Sequence, residues 1–170
     1  MSIDPMPLAI SHEPCQNIVM GIALLTAFLL QLINPAPKPG HATIIGSPAD
    51  VDAKAGGKLS LVVDVTPKPG IHVYAPGSND YIPITVKLNP QASLKPGKLA
   101  YPKSELMTFA DEQVPVFQKP FKLMQDATLD KSLKPGDTVV ITGTVNYQAC
   151  DDRVCYAPES APVTWTIAVK

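Results

Sequence analysis

The chain has 170 residues, 45% of them hydrophobic, and its 14 Lys and Arg against 15 Asp and Glu give a formal net charge of -1. This length and apolar content suffice for the core of one domain. The balanced charge, without a basic run, argues against nucleic acid or an anionic membrane surface as partner. The 19 prolines argue against an all-helical domain, because proline is excluded from helix interiors.

The N-terminal part is a candidate export or anchor segment. The apolar run from Ile18 to Ile33 is shorter than the roughly 20 residues of a spanning helix and suits a signal-peptide core. Gly40-His41-Ala42 gives a small-x-small cleavage pattern, although the positive charge that normally precedes such a core is missing. We predict a signal peptide or membrane-anchor helix within residues 1–42, and a folded, extracytoplasmic domain over residues 43–170. A buried helix of the folded domain is the third interpretation, and Cys15 lies outside the fold in the first two.

After residue 42 the dominant pattern is the two-residue alternation of β-strands. Leu59, Leu61, Val63 and Val65 alternate with mostly polar side chains, which predicts a half-buried strand. The same alternation returns over the last strand, where it predicts Trp165 as a core residue. The further predicted strands lie at residues 71–74, 82–88, 99–101, 116–123 and 139–147.

The tripeptide Lys-Pro-Gly occurs four times, starting at Lys38, Lys68, Lys95 and Lys134. Proline fixes the first turn angle and glycine accepts the positive φ that follows, so each copy predicts a type II turn. Their unequal spacing excludes a solenoid repeat. About seven short strands with turn signals and no helical periodicity predict an all-β, antiparallel, immunoglobulin-like sandwich as a single domain.

The segment YQACDDRVCYAP, residues 147–158, places Cys150 and Cys155 in the connection before the last strand. An extended chain would separate their α-carbons by about 16 Å, whereas a disulfide needs roughly 4.4–6.8 Å, so a bonded pair requires the segment to fold back. So local a bond contributes only about 2 kcal/mol by loop entropy and suits a disulfide that opens and closes. A structural disulfide and a metal site remain as alternatives, the latter with Met107 and Met124 as further copper ligands.

Three motifs follow one another along the chain: GIHVYAPG at residues 70–77, DEQVPVF at residues 111–117, and the cysteine segment. Together they resemble the N-terminal periplasmic domain of the thiol:disulfide interchange protein DsbD, over residues 49–170. The resemblance implies an immunoglobulin-like thiol-disulfide oxidoreductase of the periplasm, without a bound cofactor or metal. It implies a membrane-embedded thiol reductase as electron donor, exported thioredoxin-fold proteins as acceptors, and no nucleic acid partner.

The same resemblance implies different roles for the two cysteines. Cys155 would attack a partner's disulfide, and Cys150 would resolve the mixed intermediate. Arg153 favours a thiolate beside it, whereas Asp151 and Asp152 oppose one. The family's membrane and thioredoxin-like domains do not follow in this sequence, so we expect the partners to be separate polypeptides.

Further side chains are placed around the cysteines by the resemblance. His72 and Tyr74 would flank the pair, although a surface strand position is the favoured reading of His72. Tyr74 is equally well explained as an ordinary sandwich tyrosine. Tyr147 and Tyr156 are expected to pack beside the disulfide, with closure of the core edge as the alternative for either.

An acidic cap loop would contain Asp111 and Glu112, for which a solvated turn is an equal alternative. Gln113 stands where the best-known relative presents a phenylalanine over the disulfide, so Phe109 or Val114 is the candidate shield. The cysteines also have one fewer intervening residue than in that relative. Two other function classes remain open: a non-catalytic binding module with a structural disulfide, and a copper or zinc carrier.

Overall fold

The computed structural model describes residues 40–47, 53–77, 80–109 and 111–170. Cys15, the run from Ile18 to Ile33 and the rest of residues 1–39 of the proposed signal or anchor segment lie outside these ranges. Residues 40–42 of that segment lie within them, and Ala42 is the first residue of β1. No helix within the described ranges is long and apolar enough to cross a membrane. The described chain forms eleven strands: β1 (Ala42–Ser47), β2 (Lys58–Pro67), β3 (His72–Tyr74), β4 (Thr85–Leu88), β5 (Leu94–Ala100), β6 (Glu105–Phe109), β7 (Glu112–Phe117), β8 (Phe121–Leu129), β9 (Thr138–Tyr147), β10 (Ala149–Cys150) and β11 (Glu159–Ala168).

The strands pair antiparallel in three sheets, with the orders β1-β2-β8-β5, β10-β3-β7-β6 and β11-β9-β4. Alternation explains the burial: Leu59, Leu61, Val63 and Val65 of β2 are buried, and the side chains between them are partly exposed. Side chains from the first and third sheets join in one apolar core, which we call the main core. The predicted all-β, immunoglobulin-like antiparallel sandwich is confirmed.

Trp165 of β11 is a central residue of the main core, as predicted, with 1% of its surface exposed. Its indole Nε1 donates a hydrogen bond to the carbonyl oxygen of Val62 on β2, at 2.8 Å. The bond joins two sheets and satisfies the one polar atom of the ring, which is the usual condition for burying tryptophan.

Some strand boundaries differ from the prediction. Residues 116–123 were expected to form one strand, but β7 ends at Phe117 and β8 begins at Phe121. Pro120 lies between them and has no amide hydrogen to continue a ladder. The strands β1, β6 and β10 were not predicted, because each is too short or too weakly alternating to stand out in the sequence.

Two of the predicted type II turns are present, at Lys68 and Lys134. Gly70 has φ 75° and Gly136 has φ 94°. In each turn the amide after the glycine donates to the lysine carbonyl, at 3.0 Å. These are the φ sign and hydrogen bond of a type II turn with proline in the first central position. The copy at Lys38 begins outside the described residues.

The predicted turn at Lys95 is wrong. Lys95 and Pro96 lie within β5, and the register with β8 shifts between Pro96 and Leu99. Because β5 is an edge strand, a proline there removes no hydrogen bond from a central ladder. The irregularity is a bulge, in which the carbonyl of Gly97 accepts a bond from Gln125 Nε2 at 3.0 Å.

Candidate functional site

The pairing of β10 with β3 sets the position of Cys150. Cys150 lies opposite His72, and Ala149 lies opposite Val73. Successive strand residues point to opposite faces, so His72 and Tyr74 share the face of Cys150, whereas Val73 belongs to the main core. Long-range pairing thus brings together two of the motifs that the sequence analysis singled out.

A disulfide joins Cys150 and Cys155, whose α-carbons are 4.1 Å apart. The segment folds back as a tight hairpin, as a bonded pair requires. The amide of Tyr156 donates to the carbonyl of Ala149 at 2.9 Å, and the amide of Asp151 donates to the carbonyl of Val154 at 3.0 Å. We call residues 150–155 the disulfide loop.

The carboxylate of Asp151 organises the disulfide loop. It accepts a hydrogen bond from the Tyr156 hydroxyl at 2.7 Å and from the backbone amides of Arg153 and Val154 at 2.8 Å each. These bonds, that of Tyr156 first, stabilise the ionised form and lower the pKa of Asp151 to about 2. Through the same bond, Asp151 raises the pKa of Tyr156. The predicted site residues Arg153 and Tyr156 therefore help to shape the loop.

The two bonded cysteines differ in exposure. Cys150 is fully buried in a cluster with Tyr74, Val114 and Val116, whereas Cys155 is exposed. The Tyr74 hydroxyl lies 3.4 Å from Cys155 Sγ, and it is the donor because a disulfide sulfur carries no hydrogen. Burial, with a smaller contribution from the neighbouring tyrosine, raises the pKa of Tyr74 to about 12, so the hydroxyl keeps its proton. One cysteine of the pair is exposed and the other is enclosed.

An aromatic group covers the Tyr74 side of the site. The ring of Tyr81 stacks on Tyr74 at 4.3 Å between centroids, and Phe109 lies edge-on to Tyr81 at 6.2 Å. Gln113 is exposed and Val114 is buried in the Cys150 cluster. Tyr81 was not among the predicted site residues, and the available signal was a single aromatic side chain in the polar segment SNDYIP.

His72 is buried, with 2% of its surface exposed, so the favoured reading of a surface strand residue is wrong. All three side chains of β3 are buried, because the strand is packed on both faces: Val73 lies in the main core and Tyr74 in the cluster around Cys150. The ring is edge-on to Tyr74 at 5.4 Å between centroids, and Nε2 has no hydrogen-bond partner. Burial lowers the pKa of His72, against an opposing effect of Asp152 and then Asp151.

The predicted acidic pair lies on the hairpin of β6 and β7. Asp111 and Glu112 are both exposed, and Asp111 has φ 67°, a left-handed conformation that aspartate tolerates better than most residues. Phe109 pairs with Glu112 across this hairpin. The acidic residues and Phe109 therefore belong to one structural unit.

A polar network lies next to Tyr156, the residue that follows the disulfide loop. Tyr147 belongs to the main core, and its hydroxyl donates to the carboxylate of Glu159, which also contacts His41 Nδ1. The His41 ring stacks on Tyr156 at 3.8 Å. Burial raises the pKa of Glu159, but the bonds from Tyr147 and His41 outweigh it and the pKa is lowered. Cleavage after Ala42 would remove His41 from this network.

The structure bears on the metal alternative at two points. Within the described ranges, no three His, Cys, Asp or Glu side chains are grouped so as to hold a metal ion. Met107 packs against the Cys150 cluster, whereas Met124 is 47% exposed on β8 of another sheet.

Comparison with known proteins identifies the family. Residues 44–166 match the family described as "Thiol:disulfide interchange protein DsbD, N-terminal". The fold is similar to the N-terminal periplasmic domain of ScsB from Proteus mirabilis, with TM-score 0.51 and 12% identity over 77% of this chain and 48% of that one. A second similar structure is the reduced DsbD N-terminal domain of Neisseria meningitidis, with TM-score 0.45 and 17% identity over 74% of this chain and 84% of that one. No curated protein matches the chain. Because the family match extends over most of its length, the chain belongs to the DsbD N-terminal domain family.

Proposed function

We propose that this domain passes electrons by thiol-disulfide exchange through Cys150 and Cys155. Family membership supports the reaction class. The observation that carries the assignment of roles is the unequal exposure of the two bonded cysteines, since Cys150 is 0% exposed and Cys155 is exposed. A partner's sulfur reaches Cys155 first, and Cys150 acts only within the domain.

The exchange proceeds in two attacks. The Cys155 thiolate attacks a partner's disulfide, a bond forms between the two proteins, and one partner sulfur leaves as a thiolate. Cys150 then attacks Cys155 Sγ, restores the internal disulfide and releases the partner's second sulfur. Two electrons pass to the partner. A donor dithiol regenerates the domain by the reverse sequence, in which Cys150 is the leaving group.

The hairpin favours the second attack. With the two α-carbons 4.1 Å apart, the resolving thiol is already at high effective concentration. The bonds to Asp151 hold the loop in this shape. The Tyr74 hydroxyl supplies a hydrogen bond to Cys155 Sγ, and such a bond is stronger to a thiolate than to a neutral sulfur.

Family membership also supports the partners that we propose. A membrane-embedded thiol reductase donates the electrons, and exported thioredoxin-fold proteins accept them. The similar ScsB domain is described as periplasmic, and a candidate export segment precedes the present domain. We propose a periplasmic location, with the segment over residues 18–33 as signal or anchor.

Trapping of the mixed intermediate tests this function. The full chain carrying Cys150→Ala, once reduced, should form a stable mixed disulfide with oxidised thioredoxin through Cys155, detected by non-reducing electrophoresis and mass spectrometry. The matched variant Cys155→Ala should form none, because Cys150 is enclosed. Adducts through Cys150 alone would reverse the two roles. If neither variant forms an adduct, the exchange function is wrong and a binding module with a structural disulfide is favoured.

A further inference from the structure

The exchange steps described above assign no role to the imidazole of His72. His72 is opposite Cys150 in the antiparallel pair of β3 and β10, so their β-carbons are about 4.5–5.5 Å apart on one face. Its side chain is 2% exposed, and Nε2 lacks a hydrogen-bond partner. A buried nitrogen without a partner is unfavourable for stability, and its presence points to another role.

The resolving step has a requirement that this imidazole fits. Cys150 attacks as a thiolate, so its thiol must first lose a proton. Burial disfavours the charged sulfur and keeps water away from it, since Cys150 is 0% exposed. The hydroxyl of Tyr74 is an unsuitable base, because its pKa is raised to about 12 and it donates to Cys155.

We propose that His72 accepts the proton of Cys150 during resolution, a role that rests on the proposed exchange function. The proton passes from Cys150 Sγ to Nε2, and the thiolate attacks Cys155 Sγ. The bond between Cys150 and Cys155 forms as the bond from Cys155 to the partner breaks. The partner's sulfur leaves as a thiolate, and the imidazolium returns its proton to that thiolate or to water. In the reducing direction the imidazolium protonates Cys150 as it leaves.

The surroundings of His72 suit both states of the ring. Burial lowers the pKa, so the imidazole is neutral and ready to accept a proton at neutral pH. The carboxylates of Asp152 and Asp151 oppose this shift and stabilise the imidazolium once it forms. Tyr74 faces the ring from its own strand, and the residues of β7 that pair with β3 are apolar. The ring is therefore neutral at rest and charged for only part of the cycle.

The test follows the two steps separately in the full chain. Reduced protein is mixed with oxidised glutathione from about pH 5.5 to about pH 8.5, quenched by alkylation and resolved by mass spectrometry into mixed and internal disulfide. His72→Gln should leave formation of the mixed disulfide unchanged and slow closure of the internal disulfide at neutral pH by about a hundredfold or more. The variant's closure rate should also rise more steeply with pH, because solvent must then remove the thiol proton. The control His41→Gln changes a histidine that stacks on Tyr156 and does not pair with Cys150, and it should leave the pH profile of closure unchanged.

The outcomes separate this role from a structural one. Equal closure rates and equal pH profiles in His72→Gln and the unaltered chain would overturn the proposal, and so would equal slowing of both steps. If the reduced, unaltered chain forms neither the mixed nor the internal disulfide with oxidised glutathione, the exchange function itself is wrong. If His72→Gln does not fold, His72→Phe preserves the ring volume and should show the same selective slowing.

A second measurement needs no variant. The imidazole ¹⁵N signals of His72, compared between the oxidised and reduced full chain, should shift on reduction because Nε2 gains the Cys150 thiol as a hydrogen-bond donor. Unchanged signals would contradict the proposal.

Discussion

The main core and the cluster around Cys150 are both buried, but they differ in the polar groups that they enclose. In the main core, alternating apolar side chains meet between sheets, and the one polar atom of Trp165 is paired. Around Cys150, burial encloses a histidine with an unpaired nitrogen, and a tyrosine contacts the sulfur of the exposed Cys155. The first region is arranged for stability. The second retains polar and reactive groups that stability alone does not require, as expected of a functional site.

The largest expected effect is a loss of stability from a cavity in the main core, with no effect on exchange at the disulfide. Ile141 lies in the main core and is 0% exposed. The substitution Ile141→Ala should lower the free energy of unfolding by about 2–5 kcal/mol, because the smaller side chain leaves a cavity. Urea unfolding measures the loss. The control Val140→Ala, at a position 53% exposed, should cost under about 0.5 kcal/mol. Exchange with glutathione should be unchanged in both folded variants, and a parallel loss of exchange in Ile141→Ala would mean that the regions are coupled.

Reduction of the disulfide should have the next largest effect on stability. The bond closes a short loop, so its loss should lower the free energy of unfolding by about 2 kcal/mol and leave the domain folded. Urea unfolding with and without dithiothreitol measures this difference. The double variant Cys150→Ala with Cys155→Ala controls for effects of the reductant. If the chain unfolds on reduction in the absence of denaturant, the disulfide is structural.

Removal of one hydroxyl should act on the site alone. Tyr74→Phe loses the hydrogen bond to Cys155 and should slow attack by Cys155 on oxidised glutathione about fivefold, the kinetic equivalent of about 1 kcal/mol. Tyr101→Phe makes the same chemical change at a hydroxyl that donates to the Ile84 carbonyl, at 3.0 Å, and not to a cysteine sulfur. It should cost a similar stability and leave the exchange rate unchanged. Equal exchange rates in the two variants would remove Tyr74 from the mechanism.

The smallest expected effect is a dependence of stability on pH. Because the folded pKa of Asp151 is lowered to about 2, below the unfolded value of about 3.9, its contribution is present above about pH 4 and is lost as pH falls towards 2. Asp151→Asn removes this titration, so its melting temperature should decline less than that of the unaltered chain between these values. Asp152→Asn, at the exposed neighbour, is the matched control. If the melting temperatures of Asp151→Asn and the unaltered chain fall equally over this pH range, this carboxylate has no role in stabilising the loop.

The contrast between the main core and the cluster around Cys150 also explains which features can be predicted from the sequence. Alternation in β2 and β11 indicates the main core directly, because the side-chain period of a strand decides which residues are buried. The family motifs indicate the cysteines and Tyr74. The pairing of His72 with Cys150 depends on contact between β10 and β3, and the stacking of Tyr81 on Tyr74 depends on contact between the segment before β4 and β3. Neither is a local property, so no periodicity signals it. The missing turn at Lys95 has a similar cause, since the edge position of β5 converts a turn motif into a bulge.

The reduction potential of the Cys150–Cys155 pair tests the central claim most directly. The full chain is equilibrated against glutathione or dithiothreitol buffers, and its free thiols are counted by alkylation. Reversible exchange predicts a value of roughly -180 to -270 mV, the range of exchange proteins. A value below about -300 mV with slow exchange would mean a structural bond and would contradict the proposed function.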